Sequence, residues 1–249
     1  MQSTQRKDGK VVAFAQSRSN ASKFRHDYPL TNELRNELLG DVYTQFTNFV
    51  LREEYMAAQP FLREFMEGYD LEGEKSYALE FNLFWSKVLY TACHHEDLNY
   101  IRHFIARNIQ QDRQQSPLIY HWLREWEKAV PNFYRIEFKY NHREWLVTNL
   151  LTDEIVEVRI QDTYAIPAIT GEIVMGTLIP IGNTMYFPIV DFYHFDFSVR
   201  EEIMVHLQKN YRPYIKESSF YEAFFRILTE TLDMEQAMTR GNHRTIAAY

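Results

Sequence analysis

The stretch Pro131-Asn132-Phe133-Tyr134-Arg135-Ile136-Glu137-Phe138-Lys139-Tyr140 decides how this chain folds. Before it, apolar residues recur every three or four positions. From Phe133 on they recur every second, with Tyr134, Ile136, Phe138 and Tyr140 on one side and Arg135, Glu137 and Lys139 on the other. A period of two marks a half-buried strand, because successive side chains of an extended backbone point to opposite faces. The chain therefore changes here from a helical part to a β part.

Working upstream, Leu34, Leu38, Val42, Phe46 and Phe49, and then Phe61, Leu62, Phe65, Met66 and Tyr69, predict two amphipathic helices. A third carries Tyr77, Phe81, Phe84, Trp85, Val88 and Ala92, and a fourth Leu98, Ile101, Phe104, Ile105 and Ile109. The fifth begins where Ser116 can accept from free first-turn amides and Pro117 suits the first helical position. It presents Ile119, Trp122, Leu123, Trp126 and Val130, and Pro131, which lacks an amide hydrogen, is expected to end it.

Downstream, short strand-like runs follow at Glu144 to Leu151, Ile155 to Ile160, Glu172 to Ile179 and Met185 to Phe192. Asn141-His142, Thr152-Asp153 and Gly182-Asn183 separate them as turns. With the first strand these make five, and closing them on themselves removes the exposed edges an open sheet would leave. Ser198 with Glu201 and Ser219 with Glu222 read as capping boxes that open two last helices, with a break at Pro213. The fold class is thus α+β. A basic arm covers 1–28, a helical bundle or helical-repeat-like half 29–131, a five-stranded OB-like or SH3-like barrel 132–196, two closing helices 197–239 and a frayed tail 240–249.

A chain of 249 residues that is 45% hydrophobic can bury a sizeable core, and 16% aromatic content predicts one built from Phe and Tyr. No apolar run approaches the ~18 residues of a membrane span, so no membrane partner is expected. Val11 to Ala15 is too short for the core of a secretion signal, and the single cysteine, Cys93, excludes an intramolecular disulfide or a zinc site of several thiolates. A cytoplasmic setting is the expectation.

The net charge of −7 is uneven. Arg6, Lys7, Lys10, Arg18, Lys23 and Arg25 against Asp8 give the first 25 residues +5 and leave −12 on the rest. Such an arm either touches a polyanion or is a solvated tail. On the barrel, Tyr134, Tyr140, Trp145 and Tyr164, beside Arg135, Lys139, His142 and Arg143, are the residue types that stack bases and hold phosphates in single-strand binders. On the helices, Phe84-Trp85 and Trp122 with Trp126 can either fill the core or line a groove for a partner protein.

Cys93-His94-His95-Glu96-Asp97, with His103 beyond, is the most chemical-looking stretch, but it lacks the two imidazoles four residues apart of a helical zinc site. It reads as a polar connection in which Asp97 caps the next helix, and neither metal nor cofactor is expected. There is no G-x-S-x-G, no P-loop and no G-x-G-x-x-G.

Three segments between Trp122 and Ile181, "WLREWEKAVPNFYRI", "NLLTDEIVEV" and "GEIVMGTLIPIG", resemble a β-rich region of uncharacterised bacterial proteins of the SEC-C type. That region places an F-Y-x-V strand, a D-L-L-T-G-E hairpin and a G-D-x-x-x-G-x-L-x-P strand in order. The resemblance implies a β scaffold and no chemistry, since the cysteine-rich zinc segment has no counterpart here. In the hairpin Asn149 stands for the usual Asp and Asp153 for the Gly. The expected function is that of a non-catalytic binding protein, an adaptor or regulator acting through another protein. A nucleic-acid- or ribosome-associated factor is the alternative, and an unrecognised hydrolase the third reading.

Overall fold

The computed structural model describes residues 31–94, 99–110, 117–162, 165–182 and 185–246. Thr31 opens the first helix by accepting the Leu34 amide on its hydroxyl at 3.3 Å. Helix α1 (Asn32–Glu37) passes through a π-helical turn, Leu38–Val42, directly into α2 (Tyr43–Met66). The helical backbone is unbroken from Asn32 to Met66, so the two helices read from the sequence are one rod. Pro60 lies inside it without ending it. Both Pro60 and Met56, whose carbonyl it deprives of a donor, are exposed, so water can replace the lost bond.

Helix α3 (Gly73–His94) is buried through five successive residues, Asn82 to Ser86, as befits a helix surrounded on all sides. Helices α4 (Tyr100–Gln110) and α5 (Pro117–Glu125) follow, and a 3-10 turn, Trp126–Lys128, ends the helical run before Pro131. Pro131 therefore opens the first strand rather than ending a helix. It occupies a strand's first position, where the missing amide costs little.

The strands are β1 (Pro131–Lys139), β2 (Glu144–Asn149), β3 (Ile155–Arg159), β4 (Ile173–Pro180), β5 (Met185–Pro188) and β6 (Tyr193–His194). β1 pairs antiparallel with both β2 and β4, β2 with β3, and β4 with β5, and β3 pairs parallel with β5. The ring β1-β2-β3-β5-β4 thus closes on β1, in the OB-like order. β6 continues along the β4 edge that β5 leaves, so the two short strands act as one interrupted strand.

Two apolar clusters result. The barrel interior holds Tyr134, Ile136, Trp145, Val158, Leu178 and Phe192. Gly176 makes room there: a Cβ at that position would stand 2.6 Å from the Phe192 ring. The second cluster ignores the boundaries at residues 131 and 196, joining Phe46 and Trp85 from the helices, Phe133, Met175, Ile179 and Phe187 from the outer barrel surface, and Phe224 from the last helix. Trp126 sits at the junction. Its ring contacts Phe46 at 5.7 Å and Phe187 at 6.1 Å, and its indole N–H donates to the Pro180 carbonyl at 3.4 Å.

The closing helices are α6 (Arg200–Glu217) and α7 (Phe220–Ile246). Ser219 and Glu222 form the anticipated reciprocal cap, with the Ser219 amide donating to Glu222 at 3.0 Å and the Glu222 amide to the Ser219 hydroxyl at 3.3 Å. Ser198 does not cap. Asp196 accepts the Ser198 amide at 2.8 Å and starts a 3-10 turn, Phe197–Val199, that leads into α6. Pro213 lies within α6 on its exposed side, and α7 continues past residue 240.

A buried carboxylate fastens this layer. Glu235, 4% exposed, accepts from Lys75 Nζ at 2.6 Å, the Tyr193 hydroxyl at 2.6 Å and the Asp196 amide at 2.5 Å. One side chain of α7 thereby holds the start of α3 and the end of the barrel.

Candidate protein-contact surface

The outer face of β2, β3 and the end of β1 from Phe138 on is the part of the barrel that no described helix covers; earlier in β1, Phe133 packs on Phe224 of α7 and Arg135 reaches Met204 of α6. Its layout follows from register. Ile136 pairs with Val147 and Phe138 with Leu146, so Glu137 is an extra residue in β1, a bulge. A strand alternates faces with period two, so one inserted residue reverses every side chain after it. Tyr134 and Ile136 point into the barrel, whereas Phe138 and Tyr140 point out. The simple alternation read from the sequence had placed all four together.

Cross-strand pairs then arrange nine residues in three rows. Tyr140, Glu144 and Arg159 form one, Phe138, Leu146 and Glu157 the next, and Arg135, Thr148 and Ile155 the last. Phe138 is 54% exposed, Tyr140 54% and Ile155 60%, and half-buried Leu146 lies among them. The Phe138 and Tyr140 rings meet edge to face at 5.3 Å, which stiffens the pair without hiding it.

One ion pair lies on this face. Arg135 donates to Glu137 at 2.8 Å. Burial works against the charged form of Glu137, yet the hydrogen bonds from Arg135 and Thr148 prevail and hold its carboxyl below the usual range. With Glu137, Glu144 and Glu157 against Arg135 and Arg159, the face is slightly acidic.

The residues singled out for nucleic acid do not assemble into a platform. Tyr134 and Trp145 lie inside the barrel, 3% and 2% exposed. Lys139, on the inward side after the bulge, donates to the Ala168 carbonyl at 2.6 Å and closes the barrel mouth. Arg143 is half-buried with its Nε enclosed and without a hydrogen-bond partner. Of the stacking candidates only Tyr140 reaches solvent; Tyr164 and the arm, Arg6 to Arg25, lie outside the described residues. The aromatic groove on the helices does not form either. Phe84, Trp85, Trp122 and Trp126 are each 0–1% exposed and belong to the shared core.

Of the stretch Cys93 to Asp97, His95 to Asp97 and the side chains of Cys93 and His94 also lie outside the described residues. His103 is exposed, against the edge of Tyr100 at 6.4 Å. Among the described residues no group of three His, Cys, Asp or Glu side chains is placed to hold a metal ion, and no helix is long and apolar enough to cross a membrane.

A polar cluster stands at the other end of the barrel. The Glu172 carboxylate and His194 Nδ1 are 3.0 Å apart, both nearly buried, though out of line for a hydrogen bond. Nearby, burial and then the charge of Asp162 push the Asp191 carboxyl up to about 6. Asn82 of α3 donates to the Asp191 carbonyl at 2.8 Å and holds the bend between β5 and β6 in place.

Sequence reasoning missed Phe138, Leu146 and Ile155 as surface residues. A bulge has no fixed residue signature, and the only local hint was the charge of Glu137 within an aromatic run. Compared with protein-family models, with curated proteins and with solved structures, the chain matches none.

Proposed function

We propose that this protein is a non-catalytic binding protein, an adaptor or regulator, that takes a segment of a partner protein on the outer face of β1, β2 and β3. One observation carries the reading. Among the described residues four Phe or Tyr rings are exposed, Tyr77, Phe138, Tyr140 and Phe197, and of these Phe138 and Tyr140 stand in contact with each other on a sheet, beside Ile155 and Leu146. Rigid aromatic anchors of this kind lose little side-chain entropy on binding, and a rim of charges supplies register.

The charge balance favours a protein over a polyanion. Glu137, Glu144 and Glu157 outnumber the cations and would repel phosphates, whereas they suit a partner strand or helix with apolar side chains flanked by Lys or Arg. The likeness to SEC-C-type proteins belongs to the same proposal, because the three quoted segments supply β1, the β2–β3 turn and β4. They are scaffold, and they carry no reaction.

A photo-crosslinking residue in place of Tyr140, in the full chain inside its native host, tests this directly. The expected product is a protein adduct that survives nuclease treatment and is lost when Phe138→Asp and Ile155→Lys are added. A nuclease-sensitive adduct, or the same adducts from a crosslinker at exposed Met56, would overturn the proposal.

A further inference from the structure

A second feature lies away from the barrel, between α2 and α4. Phe104 meets Phe46 at 5.5 Å and Phe49 at 5.8 Å, while Tyr100 lies beside Glu54, so the two helices run antiparallel. A cavity of about 300 Å³ opens between them. On α2, Gln45, Asn48, Phe49 and Arg52 face it at the spacing that puts helical residues on one side. On α4, Phe104, Arg107 and Asn108 do the same.

The chemistry of this lining is unlike the rest of the molecule. Arg52 and Arg107 bring two guanidiniums, and the described lining contains no carboxylate, although the chain as a whole carries −7. Neither arginine has an acidic partner among the described residues. Arg107 is positioned instead over the Phe49 ring, at 5.6 Å, which orients its fork without consuming its donors. Asn108 is 3% exposed, and among the described residues its Nδ2 has no acceptor. A buried amide left unpaired is destabilising, and folded proteins keep few. Asn108 is one of the residues that line the cavity, so a ligand bound there lies beside this amide.

We infer that this groove binds a small phosphate ester, with Arg52 and Arg107 sharing the phosphate oxygens and Asn108 donating to an acceptor on the organic part. Two guanidiniums on facing helices suit a phosphate better than a carboxylate, because a single fork already satisfies both carboxylate oxygens whereas a phosphate offers three. The enclosed amide and the small volume suit a metabolite rather than an extended nucleic acid. The site is separate from the barrel face and does not depend on its role.

Isothermal titration of the full chain with inorganic phosphate, AMP and glucose 6-phosphate tests the inference. At least one ester is expected to bind more tightly than inorganic phosphate. Arg52→Gln and Arg107→Gln are each expected to weaken it about tenfold or more, with Arg63→Gln, on the exposed side of α2, as the unaffected control. Asn108→Leu should weaken the ester and leave inorganic phosphate unchanged, while raising the melting temperature because a buried unpaired amide is gone, which separates lost binding from lost folding. The inference is overturned if none of the three probes binds. It is equally overturned if the arginine variants bind them as the native chain does, or if a single-stranded oligonucleotide binds the same arginines more tightly than any of the three.

Discussion

The barrel has two sides that differ in what lies over them. On one side all eight residues of β4 are buried, with Val174 and Leu178 pointing into the barrel and Ile173, Met175 and Ile179 pressed outward against helices. On the other side β2 alternates strictly between half-buried and buried residues, and β3 begins with the exposed Ile155. The same pleat thus reads as a continuous apolar run, IVMGTLIP, where helices cover it and as alternation where no described helix does. The covered side holds the stability of the molecule. The open side is free to carry surface chemistry without penalty to folding.

That contrast can be broken most severely at Glu235. Glu235→Ala leaves Lys75 and the Tyr193 hydroxyl unpaired beneath α7; with Lys75 still a third exposed, a loss of about 3 kcal/mol in urea unfolding is expected. Gly176→Ala, on the inner face of β4, drives a methyl into the Phe192 ring. It should cost about 2 kcal/mol, read as a lowered denaturation midpoint with unchanged slope.

Asp191 gives a smaller, pH-dependent effect. Its folded pKa of about 6 lies above the unfolded value near 3.8, so the native state binds more protons between those limits. Stability from this group is present below about pH 4 and is lost as pH rises toward 6. Asp191→Asn should remove that slope and stabilise the protein at pH 7 by about 1 kcal/mol once solvent screening of a partly open site is allowed for. Unfolding followed from pH 4 to 7 would show it, and an unchanged slope would dismiss Asp191 as its source. The smallest change belongs to the open side: Phe138→Ser should move stability by less than about 0.5 kcal/mol while abolishing the crosslinked partner.

Much of this architecture was legible because it rests on local rules. The change of period at Phe133, the Ser219–Glu222 box and the five strand segments all follow from residues within a few positions of one another. What was not legible needed distant or directional information. Pro213 was read as a break because a sequence cannot tell whether the orphaned carbonyl will face water. For Phe84, Trp85, Trp122 and Trp126 the sequence left core and groove both open, and tertiary packing decides for core; the bulge at Glu137, which decides what faces solvent, is specified by pairing with Leu146 and Val147 rather than by its own neighbours. Asp153 is a partial exception. It stands where the resembling hairpins have glycine, and its φ of +60° is the glycine-like conformation that position demands.

The ring of strands also has a weakest link. β1–β2, β1–β4 and β2–β3 each join five residue pairs, whereas the parallel seam between β3 and β5 joins two, Glu157 with Met185 and Val158 with Tyr186. A seam so short can part without disturbing the helix-covered wall, in the manner of a zip that runs only at its end. Hydrogen exchange along it should then be set by brief local breathing rather than by global unfolding, while Phe138, on β1 with five pairs to each neighbour, keeps its place when the seam parts.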